Sequence, residues 1–318
     1  MATDIASLDS PVIGRENLGK ALTPGQLIWR RFRRHRMAVA GMVGFSLLLL
    51  FIIVGSFFVS EEEANAVDLQ IRLSGPSQEH WFGTDDTGRD IFSRIIHGGQ
   101  ISLFVGLTAV TLSVTLGTLI GGLAGYFGGW LDTVLMRFTE AMLSIPQLFL
   151  LIVLGRFIGR NIDSIDIFGK TVSGSVLIVI CVIGLTSWMA LARIVRANVL
   201  SLKEMDYVSV SKSLGSSKLR TFFKHLIPNT MGVVIVASTL GLAGAILNEA
   251  YVSFLGLGIQ SPTASWGNML TAAQTYVQKG SWWMWVFPST FIILTILSVN
   301  LMGDGLRDAF DPRSNRHL

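Results

Sequence analysis

The sequence predicts an all-α membrane protein with six transmembrane helices, and three observations support this fold class. Half of the 318 residues are hydrophobic and only 14% are charged, whereas a soluble domain carries about 25% charged residues. Several stretches of 22 or 23 residues contain no charged side chain, which is long enough for a helix to cross a bilayer. None of these stretches alternates polar and apolar residues as the strands of a membrane barrel do.

The six predicted spans are uncharged segments of the chain. In order they are 37–59, 101–131, 141–155, 171–192, 226–248 and 281–303. The first is too long and too far from the N-terminus for a cleaved signal peptide, and acidic residues rather than a cleavage site follow it. The third is the shortest, so it depends on the apolar residues 134–136 before it, and Pro146 predicts a kink inside it.

The basic residues predict which way the chain crosses the membrane. With a cytoplasmic N-terminus, the inner segments contain 18 of the 25 lysines and arginines, and the outer segments contain the other seven. The positive-inside rule therefore predicts that both termini are cytoplasmic. The strongest basic run, RRFRRHR at 30–36, directly precedes the first span. Contact with anionic lipid explains this run better than binding of nucleic acid.

Catalytic and metal-binding patterns are missing from the sequence. The five histidines are scattered, and Cys181 is the single cysteine, so neither a thiolate metal site nor an intrachain disulfide is expected. The segment 14–21 nearly has the spacing of a phosphate-binding loop, but Ala21 stands where a hydroxyl residue would hold Mg²⁺. No two carboxylates have helical spacing inside a span, which argues against a membrane protease or a proton relay. We therefore expect no catalytic residue, metal or cofactor in this chain.

The cytoplasmic loop 193–225 predicts two short amphipathic helices joined by a tight turn. Asp206 is a candidate N-cap of the first helix, and one face of that helix carries Tyr207, Val210 and Leu214. Gly215 then takes the position just beyond the helix, where a positive φ angle favours glycine.

A second helix is predicted directly after this glycine. Ser216 or Ser217 caps it, and Pro228 ends it before the fifth span. Its apolar face is formed by Leu219, Phe222, Phe223 and Leu226. Two interpretations stay open from the spacing alone: a loop that only joins two spans, or a stiff element that receives force from a soluble motor.

This loop resembles the EAA loop of ABC-importer permeases, in which E-A-A-x-x-x-G is followed after nine residues by I-x-L-P. Gly215 matches the glycine and Pro228 the proline. The departures are Ser209, Val210 and Ser211 in place of E-A-A, and His225 in place of the isoleucine. The resemblance implies that an ATPase docks on Asp206, Tyr207, Ser209, Val210, Ser211, Leu214, Gly215, Ser216 and Pro228.

Two longer motifs narrow the resemblance. HWFGTDDTGRDIFSR at 80–94 resembles the G-T-D-x-x-G-R-D-x-x-S-R signature of peptide permeases, with Gln100 beyond it as a small departure. EAYVSFLGLG at 249–258 resembles their E-A-x-x-S-F-L-G-L-G signature and continues into SWGNML at 265–270. With the basic segment before an additional first helix, residues 24–312 resemble the C-type permease subunit of dipeptide/oligopeptide/nickel ABC importers.

The resemblance implies a type I ABC-importer permease bundle in the bacterial inner membrane, with lipid around it. Its expected partners are a B-type permease subunit, two ATPase subunits that bind ATP and Mg²⁺, and an extracytoplasmic substrate-binding protein. Di- or oligopeptides are the expected cargo, and nickel, a sugar or another small solute is the alternative. An ion-driven secondary transporter has less support, because the spans contain no paired charges.

The resemblance also divides the chain into segments. They are a cytoplasmic tail (1–36), the first transmembrane helix and start of the outer loop (37–75), an extracytoplasmic signature loop (76–100), the permease core (101–303) with its coupling loop (193–228), and a second cytoplasmic tail (304–318). Gly117, Gly121 and Gly125 predict close helix packing in the core. Arg137 and Glu140 have the spacing of an ion pair.

Charged residues on the outer side are the remaining candidates. Asp85, Asp86, Arg89 and Asp90 either organise the outer gate or contact the binding protein, or they form a solvated turn with local pairs around Gly88. Glu249 and Ser253 are candidates for the translocation path. Counting about 1.5 Å per helical residue places Glu249 near the outer boundary, which favours an interfacial helix end over a substrate contact in mid-membrane.

Overall fold

The computed structural model describes residues 23–158, 165–167 and 170–311, which form twelve α-helices and two short strands. The helices are α1 (Pro24–Arg34), α2 (Arg36–Phe58), α3 (Glu61–Asn65), α4 (Ile91–Phe127), α5 (Gly129–Leu143), α6 (Gln147–Ile158), α7 (Gly174–Leu202), α8 (Asp206–Ser213), α9 (Lys218–Thr221), α10 (Ile227–Phe254), α11 (Trp266–Ala273) and α12 (Trp283–Phe310). Strands β1 (Ile165–Ile167) and β2 (Lys170–Val172) pair antiparallel between α6 and α7, and the predicted helical membrane fold is confirmed.

Five helical stretches in the described residues are long and apolar enough to cross a membrane: α2, α4, α7, the stretch from α9 through α10, and α12. They confirm the predicted spans one, two, four, five and six. Several boundaries differ from the prediction, because the helices continue past the uncharged segments. Helix α4 begins ten residues before position 101, and α12 continues to Phe310.

The predicted third span is broken. Helices α5 and α6 meet at an angle of 87° across a short break, and they amount to a sixth span only if the bent pair crosses together. Pro146 lies in this break, so the predicted kink is confirmed as a sharp bend. The predicted pair also forms, since Arg137 Nη1 lies 3.2 Å from Glu140 Oε2 on the exposed face of α5.

Helices α4 and α7 cross at very short range through a row of glycines. A Cβ atom at Gly121 would overlap the carbonyl oxygen of Ala192, and one at Gly117 or Gly125 would lie 2.9 Å from a carbonyl oxygen of α7. The small residues therefore let the two backbones touch, which confirms the packing predicted for this pattern.

Most of the basic run, residues 30–34, lies on α1, and Arg36 begins α2. His35 has an extended backbone between α1 and α2, and its Nδ1 accepts the Ala38 N–H at 3.0 Å. Phe32 packs against Ala38 and Ala309, so α1 is held against the start of α2 and the end of α12.

Candidate functional site

The first helix of the predicted coupling loop is present as α8. Its N-cap is Met205, which has an extended backbone and makes no side-chain cap, so the prediction of Asp206 as N-cap is wrong. Asp206 lies instead in the first turn, where a carboxylate interacts favourably with the helix dipole. The cap prediction failed because the chain enters the helix one residue earlier than the polar side chain suggested.

The turn after α8 has the geometry predicted at Gly215. This glycine has φ +78°, its N–H bonds to the Lys212 carbonyl, and the Ser216 N–H bonds to the Ser211 carbonyl, at 3.0 and 3.1 Å. This pair of hydrogen bonds is a Schellman motif, which requires a left-handed residue at this point. Ser217 then caps α9 by accepting the Arg220 N–H, which decides between the two predicted caps.

The second predicted helix does not end at Pro228. Helix α9 runs through a π-helical turn, Phe222–Leu226, directly into α10, and Ile227 N–H bonds to the Phe222 carbonyl. Pro228 falls in the first turn of α10, where its missing N–H costs little. The loop and the fifth span therefore form one helical rod, Lys218–Phe254, which corrects the predicted break.

One face of the loop is packed into the bundle. Val208, Phe222 and Leu226 are fully buried in one cluster. The other members of that cluster are Leu191, Val195 and Val199 of α7 and Val234 of α10. A displacement of α8 therefore presses directly on α7 and on the rod.

The opposite face of the loop is apolar and exposed. Leu214 is 83% exposed, and Val210 and Phe223 are each 56% exposed. We call this face the coupling surface; its members are Tyr207, Val210, Leu214, Leu219 and Phe223. The predicted apolar face of the second helix thus divides, with Phe222 and Leu226 inside and Leu219 and Phe223 outside. The remaining predicted docking residues lie beside it: Asp206, Ser209, Gly215 and Pro228 are exposed, and Ser211 and Ser216 are partly buried.

Polar contacts also connect the helix ends that lie near the coupling surface. Lys212 of α8 lies over the Tyr126 ring at the end of α4, 5.9 Å from its centroid. Arg196 of α7 makes a two-pronged ion pair with Asp132 of α5, at 2.5 and 2.7 Å. These contacts connect α4, α5, α7 and α8 at the end of the bundle that carries the coupling surface.

At the other end of α4, Asp85 organises the signature loop from within. Its carboxylate accepts hydrogen bonds from Thr87 and from the backbone and side chain of Arg89, with Arg89 Nε 2.7 Å from Oδ2. Burial raises the pKa of Asp85, but Arg89 and these hydrogen bonds outweigh it and hold the pKa below its ordinary value. The local pair around Gly88 is present as one alternative predicted, but it is buried rather than solvated.

The other candidates of this loop have different surroundings. Asp90 caps α4 by accepting the Ser93 N–H at 2.8 Å, and His80 lies 3.1 Å from its other oxygen. Asp86 is partly exposed, and burial together with the charge of Asp85 raises its pKa. Arg89 reaches out of the loop, since its Nη1 donates to Ser261 Oγ at 3.1 Å. The roles of these residues at a gate or toward a binding protein remain predictions.

Glu249 and Ser253 are enclosed within this chain. Glu249 accepts hydrogen bonds from Ser102 Oγ at 2.9 Å and Ser253 Oγ at 2.8 Å, and both Glu249 and Ser253 are fully buried. Glu249 lies five residues before the end of α10, and its place at the membrane interface stays a prediction. Glu249 has no exposed surface in this structure, whereas Ser253 lines a cavity together with Asp85 and Arg89. The path role of both side chains remains a prediction. Ser102 was missed, because a serine 147 positions away gives no local signal.

Comparison with known proteins identifies the family to which this chain belongs. Residues 117–316 match the family of the binding-protein-dependent transport system inner membrane component, and residues 23–76 match the N-terminal TM domain of oligopeptide transport permease C. The chain belongs to the family of binding-protein-dependent transport system inner membrane components. The second match covers α1 to α3 and the start of the signature loop.

Several curated relatives are similar over nearly their whole length. The chain is 41% identical to the dipeptide transport system permease protein DppC of Bacillus subtilis, with 93% of this chain and 88% of the relative covered. It is 40% identical to a putative peptide permease protein of Brucella suis, with 89% of each covered. It is 39% identical to the oligopeptide transport system permease protein OppC of Haemophilus influenzae, with 91% and 90% covered.

Family membership and the long apolar helices agree on the class of protein. This binding-protein-dependent transport component is a multi-pass protein of the bacterial inner membrane and the permease subunit of an ABC importer. The resemblance stated from the EAA-like loop and the two signature motifs is thereby confirmed.

Proposed function

We propose that this chain forms half of the translocation path of an ATP-driven peptide importer and that separate ATPase subunits drive it through the coupling surface. The observation that carries the proposal is the coupling surface itself. It presents five apolar side chains around a rigid glycine turn, while the other face of the same loop is buried against α7 and the rod.

An exposed apolar face on a packed element is typical of a protein–protein contact. A Cβ atom at Gly215 would meet no atom within 4 Å among the described residues, so the turn protrudes from the bundle. Because Val208 is fully buried beneath it, force applied to the coupling surface enters the bundle without a flexible linker. Such a surface suits two ATPase subunits that bind ATP and Mg²⁺, one of which would dock on this chain.

A second permease and a binding protein complete the proposed complex. Helices α5 and α6 expose several large apolar side chains, including Trp130, Val134, Phe138 and Phe149. Those side chains would contact lipid or the B-type permease. The signature loop is at the opposite end of α4 from the coupling surface, where an extracytoplasmic binding protein would deliver substrate. Cytoplasmic termini, as the basic residues predict, are required for this arrangement.

The cargo is proposed from the relatives. The names of the relatives from Bacillus subtilis, Brucella suis and Haemophilus influenzae specify dipeptides, peptides or oligopeptides. Their similarity extends over about nine-tenths of this chain. A di- or oligopeptide is therefore the proposed substrate, and nickel or a sugar is the alternative that a transport assay separates from it.

The decisive experiment reconstitutes the chain in liposomes with its candidate partner permease, ATPases and binding protein. We expect the four kinds of subunit to purify together and labelled di- or oligopeptide to enter only when ATP is supplied. Uptake by this chain alone along an ion gradient, with no associated ATPase, would contradict the proposal. ATP-dependent uptake of nickel or sugar but not peptide would overturn only the choice of cargo.

A further inference from the structure

A buried carboxyl lies at the outer end of the rod, five residues before the rod ends. Glu249 is fully enclosed, and Ser265 lies against it together with Ser102 and Ser253. Enclosing a carboxyl is costly unless hydrogen bonds replace the lost water. An apolar residue at this position would avoid that cost, which indicates that the carboxyl holds other groups in place.

Glu249 holds two backbone amides of the outer loop through two serines. Ser102 donates to Oε2 of Glu249 and accepts the Trp266 N–H at 3.2 Å. Ser253 donates to Oε1 and accepts the Ile259 N–H at 3.1 Å. Each serine hydroxyl is oriented by the carboxyl, so its lone pair points to the amide.

The two amides belong to residues 259–273, which we call the outer segment. Trp266 is fully buried, and its Nε1 donates to the Ile95 carbonyl of α4 at 3.0 Å. Gly267 sits directly on the rod, because a Cβ atom there would lie 2.8 Å from Ala250 Cα. Thr271 Oγ1 adds a bond to the Ser253 carbonyl at 2.8 Å. The outer segment is therefore packed on the rod and on α4, with Glu249 at the junction.

The rod connects this junction to the coupling surface. Leu219 and Phe223 of the coupling surface lie at the inner end of Lys218–Phe254, and Glu249 lies near its outer end. At about 1.5 Å per residue, roughly 45 Å of continuous helix separates the two. A continuous packed helix is the kind of element through which a displacement is transmitted between distant sites.

We propose that Glu249 is a positioning residue for transport: it fastens the outer segment to the rod, so that movement of the coupling surface also moves the outer face. This inference rests on the proposed function, since it needs an ATPase at the inner end. Glu249 does not touch the cargo in this scheme. It acts by orienting Ser102 and Ser253 and through its contact with Ser265 of the outer segment.

Glu249→Gln is the sharpest test, because it keeps the shape of the side chain. A carboxylate accepts at both oxygens, whereas the amide accepts at one end and donates at the other. The serine that faces the amide NH₂ can no longer donate to it, so one of the two connections is lost. Ser102→Ala and Ser253→Ala remove the connections one at a time. Thr186→Val is the matched control, since Thr186 is buried but bonds only to its own helix.

Two measurements in the reconstituted complex separate positioning from mere stability. The first is cargo transported per ATP hydrolysed. The second is labelling of Ala264→Cys, a position that is 4% exposed, by an impermeant maleimide with and without ATP. The background is Cys181→Ser, because Cys181 is the single cysteine and is exposed. We expect labelling of the parent to depend on ATP.

For Glu249→Gln we expect ATP hydrolysis to continue, cargo per ATP to fall about tenfold, and labelling to lose its dependence on ATP. Equal cargo per ATP and equal labelling in parent and variant would overturn the inference, as would ATP-independent labelling of the parent. If Glu249→Gln does not fold, the two serine variants decide by the same criteria. A parent complex without ATPase or ATP-driven uptake would instead overturn the proposed function.

Discussion

The side chains at the inner end of the rod are exposed, whereas those at the outer end are buried and hydrogen-bonded. At the inner end, Leu219 and Phe223 stay exposed around an open turn. At the outer end, Glu249 and Trp266 are enclosed, and each polar group there is hydrogen-bonded to the same chain. The inner end leaves an apolar face uncovered by the described residues, whereas the side chains at the outer end are covered by this chain itself. Five substitutions, each with a comparison variant, test this difference.

Gly88→Val tests the outer end and has the largest expected effect. Gly88 has φ +82° and lies so close to Asp68 that a Cβ atom would overlap the Asp68 carbonyl oxygen. Because backbone fills the space, no side chain can yield, and we expect little or no folded protein on size exclusion in detergent. Gly256→Val is the control, since Gly256 has φ +73° with no atom within 4 Å of its Cβ position among the described residues. Equal yields of the two variants would contradict the close packing of Gly88 against Asp68.

Asp85→Asn removes the central charge of the signature loop. Arg89 and the buried Arg94 then lose their nearest counter-charge, and breaking a buried pair in this way costs about 3 kcal/mol. We expect a clearly lower unfolding temperature in detergent. Asp86→Asn, at a partly exposed position, should change it much less.

The pH dependence of stability gives Asp85→Asn a second readout. The pKa of Asp85 is lowered in the folded protein, so its stabilisation is present above the ordinary pKa of an aspartate and is lost as the pH falls through the lower folded value. The raised pKa of Asp86 acts in the opposite direction: its contribution is present at low pH and is lost as the pH rises. Asp85→Asn should therefore flatten the loss of stability below about pH 4. Parallel profiles of the parent and Asp85→Asn would contradict this account.

Val208→Ala and Val210→Ala compare the two faces of α8. Val208 is fully buried, and removing its two methyl groups should cost about 2 kcal/mol and lower the unfolding temperature. Val210 is exposed on the coupling surface, so its truncation should leave the unfolding temperature unchanged and weaken ATPase association instead. A drop in stability with Val210→Ala would mean that this face is covered by the chain itself.

Sequence patterns predict these two ends unequally. The spans, the glycine row of α4 and the turn at Gly215 were predictable, because each depends on neighbours within one or two helical turns. The continuous helix through Pro228 was not predictable from the sequence, because it depends on a π-helical turn that shifts the hydrogen-bond register. The enclosure of Glu249 depends on Ser102 of α4 and on a loop that folds back over both helices. Such long-range contacts leave no periodic trace in the sequence.

Gly215→Ala has a small expected effect on stability, and it therefore isolates coupling. The left-handed φ costs alanine about 1 kcal/mol, while the open space around the turn adds no clash. We expect an almost unchanged unfolding temperature, but a turn that relieves its strain moves Leu214 relative to Leu219 and misaligns the coupling surface. ATPase activity stimulated by the binding protein should fall in the reconstituted complex. Ser213→Ala, two residues earlier and exposed, is the control. Unchanged stimulation in Gly215→Ala would show that the exposed inner end tolerates a shifted turn, and that its shape matters less than its apolar side chains.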